Sequence, residues 1–151
     1  MFNQKWNLRF LNLACHVAQW SKDPSTKVGA VIVRPDRTIA SMGYNGFPRG
    51  MDDDPARYED RAYKLAHTVH AEINALANAH EPVRGYGLFT SLPVCGPCSL
   101  HIIQHGIDWV VSIYASEEQY MRWGESMLVA SDNFFQTNLP TRYYYKEQID
   151  G

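Results

Sequence analysis

Gly87-Leu-Phe-Thr-Ser91, then Cys95-Gly-Pro-Cys98, then Asp108-Trp-Val-Val-Ser-Ile-Tyr114 is the stretch that decides the fold. The first and last segments are apolar and rich in strand formers, and what lies between them reads as a helix. Pro97 suits a first helical turn, Leu100, Ile102 and Ile103 supply an apolar stripe, and Gly106 is a natural stop. Strand, helix, strand in this order predicts a parallel pair joined by a right-handed crossover. It also places two cysteines where a strand hands over to a helix.

Downstream, Ser116-Glu117-Glu118 resembles a helix start, and a helical pattern continues to about Ala130. Arg142 to Lys146 is then expected as a last strand, with Tyr143, Tyr144 and Tyr145 at an edge or packed as a tail. Upstream, Ala71 to Ala79 reads as helix, and the Gly-, Pro- and Asp-rich text from Tyr44 to about Arg57 as a long loop that helps to shape a site. Val28 to Val33, the turn at Pro35-Asp36-Arg37 and Thr38 to Gly43 predict a β-hairpin. Trp6, Phe10, Leu13 and Val17 recur at helical spacing, with Asp23-Pro24 as the stop. The whole predicts an α/β fold, a three-layer α/β/α sandwich on a mixed sheet.

The chain of 151 residues fits a single domain, 1–151, with a hydrophobic fraction of 45% and no low-complexity stretch. A formal charge of −2 gives no footprint for broad nucleic-acid binding and favours small substrates. The polar start, Met1 to Trp6, lacks the apolar run of a secretory signal, and no segment approaches the ~18 apolar residues of a membrane span. A cytoplasmic location with reduced thiols is expected for the three cysteines.

Cys95-x-x-Cys98 at a helix start can chelate one metal, because the helix N-terminus favours thiolates. Alone, that motif reads equally as a structural zinc knuckle or a redox pair. His70, opening the preceding helix, would complete a Cys₂His set for Zn²⁺ with one coordination position left for water. Such a water loses a proton more easily than bulk water, giving a hydroxide nucleophile. Glu72 would carry protons, yet residues i and i+2 of a regular helix point in nearly opposite directions, so spacing alone reads it equally as a surface residue. His67 is the nearby residue that could close the site as a fourth ligand. Cys15, His16, His80, His101 and His105 read as packed or surface residues.

His70-Ala-Glu72 with Cys95-Gly-Pro-Cys98 resembles the His-x-Glu and Pro-Cys-x-x-Cys signature of the cytidine-deaminase superfamily, with Val94 where the proline is usual and Pro93 displaced by one. Ser21-Lys-Asp-Pro-Ser-Thr-Lys-Val-Gly-Ala30, Gly43-Tyr-Asn-Gly-Phe-Pro-Arg-Gly50 and His70-Ala-Glu-Ile-Asn-Ala75 narrow the resemblance to the deoxycytidylate deaminase family, from about Leu11 to Trp123. The resemblance implies a five-stranded sheet and hydrolytic deamination of dCMP to dUMP. It assigns the sugar hydroxyl to Asn45, the pyrimidine carbonyl to the Ala71 N–H and the exocyclic amine to the Ser91 C=O. For the phosphate, Ser25 and Lys27 rank first, with Thr26 and Arg49 as further donors. The resemblance associates the Tyr44 to Pro48 segment with control by dCTP and dTTP at subunit contacts, leaves open whether this chain is regulated, and implies a homo-oligomer.

Three rivals share parts of this pattern. A dCTP deaminase or a tRNA adenosine deaminase would use the same metal motif, although net acidity and the Gly43 to Gly50 loop count against the second. A zinc-stabilised binding module would need the ligands but not Glu72.

Overall fold

In a computed structural model, which describes residues 1–150, the first apolar stripe folds as α1 (Gln4–Ala18), started by Asn3, whose side chain accepts from Trp6 N. Gly151, the last residue of the expected domain, lies outside the described residues. The hairpin is β1 (Gly29–Val33) with β2 (Ile39–Tyr44). Next come α2 (Pro55–Glu59), α3 (Arg61–His67), α4 (Ala71–Asn78), β3 (Gly87–Thr90), α5 (Gly96–Gln104) and β4 (Trp109–Ile113). The chain closes with α6 (Glu117–Gln136), β5 (Thr141–Tyr144) and α7 (Lys146–Asp150).

The five strands lie in the order β2-β1-β3-β4-β5. β1 is antiparallel to both β2 and β3, whereas β3, β4 and β5 run parallel, joined by α5 and α6 as crossovers. Successive side chains of a strand face opposite ways, which divides the core into two halves. Ala30, Ile32, Leu88 and Val110 pack under α4, α5 and α6 through Ala75, Ile102, Ala130 and Phe134. Val31, Val33, Phe89 and Val111 pack under α1 and α7 through Phe10, Leu11, Ala14 and Ile149. β1, β3 and β4 are buried along their whole length, the reason their sequences are mostly apolar runs, broken only by Thr90 and Ser112. The expected three-layer α/β/α sandwich with a five-stranded mixed sheet is what forms.

Four expectations need correction. α1 stops at Ala18, before Asp23-Pro24, and β5 ends at Tyr144, because Lys146 already opens α7. The long loop ends earlier, because Asp54 caps α2 by accepting from Ala56 N, with Pro55 in the first turn, and Asp60 caps α3 by accepting from Tyr63 N. The helix from Glu117 runs on to Gln136, past polar Ser131 to Asn133, since Met127, Ala130 and Phe134 keep one buried stripe. Its start has a full capping box between Ser116 and Gln119. Among the described residues no helix is long and apolar enough to cross a membrane.

Gly43 lets α4 lie directly on β2. A Cβ there would sit 2.4 Å from Ala75 N and 2.6 Å from Ala71 O, both backbone atoms. Gly43→Ala is therefore expected to lower stability by about 1–3 kcal/mol through forced displacement of α4. Urea unfolding checks this, and an unchanged midpoint would show that the contact is not tight.

Candidate active site

Two helices begin beside each other at the end of the sheet where β3 stops and β1 starts. Cys95 is the N-cap of α5 and His70 the N-cap of α4, with extended backbone at φ −70°, ψ 153°. Because His70 precedes the helix, the rule that positions i and i+2 of a helix diverge does not apply. His70 and Glu72 both line one cavity of about 130 Å³, far more than the ~10–15 Å³ that one water requires.

His70 Nδ1 lies 3.4 Å from Cys95 Sγ and 3.2 Å from Cys98 Sγ, and the donor atoms of the three residues all lie within 4.8 Å of one another. Zn–S of ~2.3 Å and Zn–N of ~2.0 Å in a tetrahedron require donor–donor edges of roughly 3.5–3.8 Å, so the set fits zinc after small outward shifts. His67 does not join it among the described residues: its ring stacks on Tyr63 at 3.9 Å and its Nδ1 lies 2.7 Å from Tyr63 O. The hydrogen bond from Cys98 draws the Cys95 thiol down to about 4, against the opposing effect of burial. Cys98 is pushed up by that same bond and by burial. The bond to Cys95 raises His70.

Glu72 is 4% exposed, and burial raises its pKa. Thr90 Oγ1 donates to Glu72 Oε1 at 3.0 Å, so the carboxyl group is held from the end of β3. Val94 packs into the core beside Cys98, and Pro93 instead lines the cavity. From α6, Ser126 Oγ accepts from Gly96 N at 2.8 Å and Asn133 donates to Ser99 Oγ at 2.9 Å. The cysteine turn is thereby pinned to the crossover helix that follows it.

The sequence-derived contact residues are placed unevenly. Ala71, Asn45 and Thr26 line the cavity together with His70, Glu72 and Cys95. Asn45 is buried with Oδ1 accepting from Val28 N at 2.8 Å and Nδ2 donating to Thr26 O at 2.9 Å, so it braces the entry to β1 and keeps one N–H spare. Ser91 ties itself to Gly29, accepting at Oγ from its N–H and donating to its carbonyl, while Leu92 and Pro93 form the adjoining wall. Ser25 and Lys27 are exposed and outside the cavity lining. Arg49 lies in a neighbouring depression and donates to Asn78 Oδ1 at 2.6 Å.

Thr90, Arg61, Lys64 and Trp123 belong to the same cavity region but were absent from the sequence reading. A threonine ending an otherwise apolar strand was the available signal for Thr90. Arg61 and Lys64 carry no motif, since α3 is too short to show a helical period, and Trp123 fits a packing stripe.

Residues 4–114 match the family described as the cytidine and deoxycytidylate deaminase zinc-binding region. A deaminase of the luxG 3′ region of Aliivibrio fischeri is 41% identical over 89% of this chain and 90% of its own length. The deoxycytidylate deaminase of Mus musculus is 38% identical over 71% of this chain and 64% of its own, so the chain spans somewhat less than two thirds of that relative. The crystal structure of dCMP deaminase from the cyanophage S-TIM5 is similar in fold, with a TM-score of 0.72, 23% identity and coverage of 95% of this chain and all of that one.

Removal of one ligand should be decisive for metal. Cys98→Ser is expected to weaken zinc binding by more than the roughly 10–100-fold typical of losing an outer-shell partner, and to lower the thermal midpoint of the purified protein. Metal analysis after dialysis reads the first effect. Full zinc retention would exclude Cys98 as a ligand.

Proposed function

We propose that this chain, which belongs to the zinc-binding cytidine and deoxycytidylate deaminase family, converts dCMP and water to dUMP and ammonia. The observation that carries the reading is the shared cavity: His70, Cys95 and Glu72 open on one space of about 130 Å³, bounded elsewhere by Val28, Leu92, Pro93 and Met127. Apolar walls with a few convergent polar groups suit a planar base. The relatives named deoxycytidylate deaminase, at 37–38% identity in mouse and human, point to the nucleotide.

His70, Cys95 and Cys98 would hold zinc, which when bound supplies the Lewis acidity that makes water nucleophilic near neutral pH. Glu72 does the proton work. Its buried carboxyl, raised in pKa and held by Thr90, takes the proton lost by the attacking water, passes it to the ring N3 and serves the departing amine, so that ammonia leaves neutral. The Ala71 N–H is suited to the pyrimidine carbonyl, and the spare N–H of Asn45 to the sugar hydroxyl. Trp123 and Met127 on α6 close the apolar side and exclude water around the base.

Glu72→Gln is expected to keep zinc and the fold while ammonia release from dCMP falls by about 10²–10⁴, the range ascribed to general acid–base catalysis. A stopped assay on the zinc-loaded variant measures it. Turnover at the wild-type rate would remove Glu72 from the mechanism, whereas no ammonia release from dCMP by the zinc-loaded wild-type protein would favour a binding module.

A further inference from the structure

Lys64 is 5% exposed and lies on the cavity wall, an unusual place for an ammonium. Its Nζ is 3.1 Å from Asp23 Oδ1, and both side chains are 6% exposed. Removing such a pair from water costs several kcal/mol per ion, which a well-packed apolar pair would avoid. The charge therefore needs a use beyond stability.

The bonding around the pair shows where spare capacity lies. Asp23 Oδ1 also accepts from Ser25 N at 2.8 Å and Thr26 N at 3.1 Å, so this oxygen is fully engaged and fixes the loop before β1. The Lys64 ammonium has three N–H groups, and its hydrogen bond to Asp23 uses one. Arg61, three residues earlier on α3, also lines the cavity, is exposed and makes no ion pair among the described residues. Asp23, Arg61 and Lys64 together carry a net positive charge on a wall otherwise built largely from apolar groups.

We infer that Arg61 and Lys64 hold the phosphate monoester of the substrate, with Asp23 fixing Lys64 in place. An ammonium already oriented by a carboxylate loses little freedom on meeting the anion, and a guanidinium can grip two phosphate oxygens at once. Ser25 and Lys27, exposed and outside the cavity lining, are left to the outer surface. This inference rests on the dCMP reading above, and makes the monophosphate the feature that separates dCMP from the free nucleoside.

Two measurements on the zinc-loaded protein test it. The first is the ratio of kcat/KM for dCMP to that for deoxycytidine in wild type, Arg61→Gln and Lys64→Met. A lost charge-assisted phosphate contact of ~1.5–3 kcal/mol corresponds to a fall in this ratio of roughly 10–150-fold, carried mainly by KM for dCMP. The second is the rise in thermal midpoint produced by inorganic phosphate, expected in wild type and weakened in Arg61→Gln. Arg61 is exposed, so that variant remains informative if Lys64→Met fails to fold. An unchanged ratio and unchanged phosphate response in Arg61→Gln would overturn the inference while leaving dCMP deamination intact. A wild-type protein that responds to phosphate through Arg61 but releases no ammonia from dCMP would overturn the substrate reading and leave the anion site standing.

Discussion

The structure depends on bringing two helix starts to one point. His70 opens α4 and Cys95 opens α5, and the three donors able to hold a metal come together only because both N-caps meet beside the end of β3. Neither helix is placed by its own sequence preference. α4 is seated on β2 by the absence of a side chain at Gly43, and α5 is held against α6 by the hydrogen bonds of Ser126 and Asn133. Thiols at a helix N-terminus are inclined to ionise, so the packing that places Cys95 at the start of α5 also favours its thiolate.

A second set of constraints builds the wall opposite the cysteine turn. Asp23 gathers Ser25 N, Thr26 N and Lys64, and Asn45 spans Thr26 O and Val28 N. The segment entering β1 is thus tied both to α3 and to the end of β2. These side chains are first of all braces, and only their remaining donors are free to face the cavity. Glu72 combines the same two roles, bonded to Thr90 yet open to the cavity.

The sheet and the His70, Cys95 and Cys98 grouping were legible in the sequence because they are written locally. β-branched runs marked β1 and β4, Pro97 and Gly106 bounded α5, and Cys-x-x-Cys needed only a histidine partner. Short capped helices were harder. α2 and α3 are five and seven residues long, too short for a clear period, although Asp54-Pro55 and Asp60 carried their start signals. α6 outran its expected end because burial of Phe134 outweighs the weak helix preference of Ser131 to Asn133. Lys64 and Arg61 could not be found by motif, since their meaning comes from α3 lying against the cavity.

The proposed function stands or falls on whether His70, Cys95 and Cys98 hold zinc with one coordination position left for chemistry. X-ray absorption at the zinc edge of the purified protein tests it most directly. A zinc held by these three residues and a water would show two sulfur scatterers at ~2.3 Å and two lighter ones at ~2.0 Å, one of the latter exchanging when a competing small ligand is added. A shell of four protein donors, unchanged by such a ligand, would contradict it and make the zinc structural.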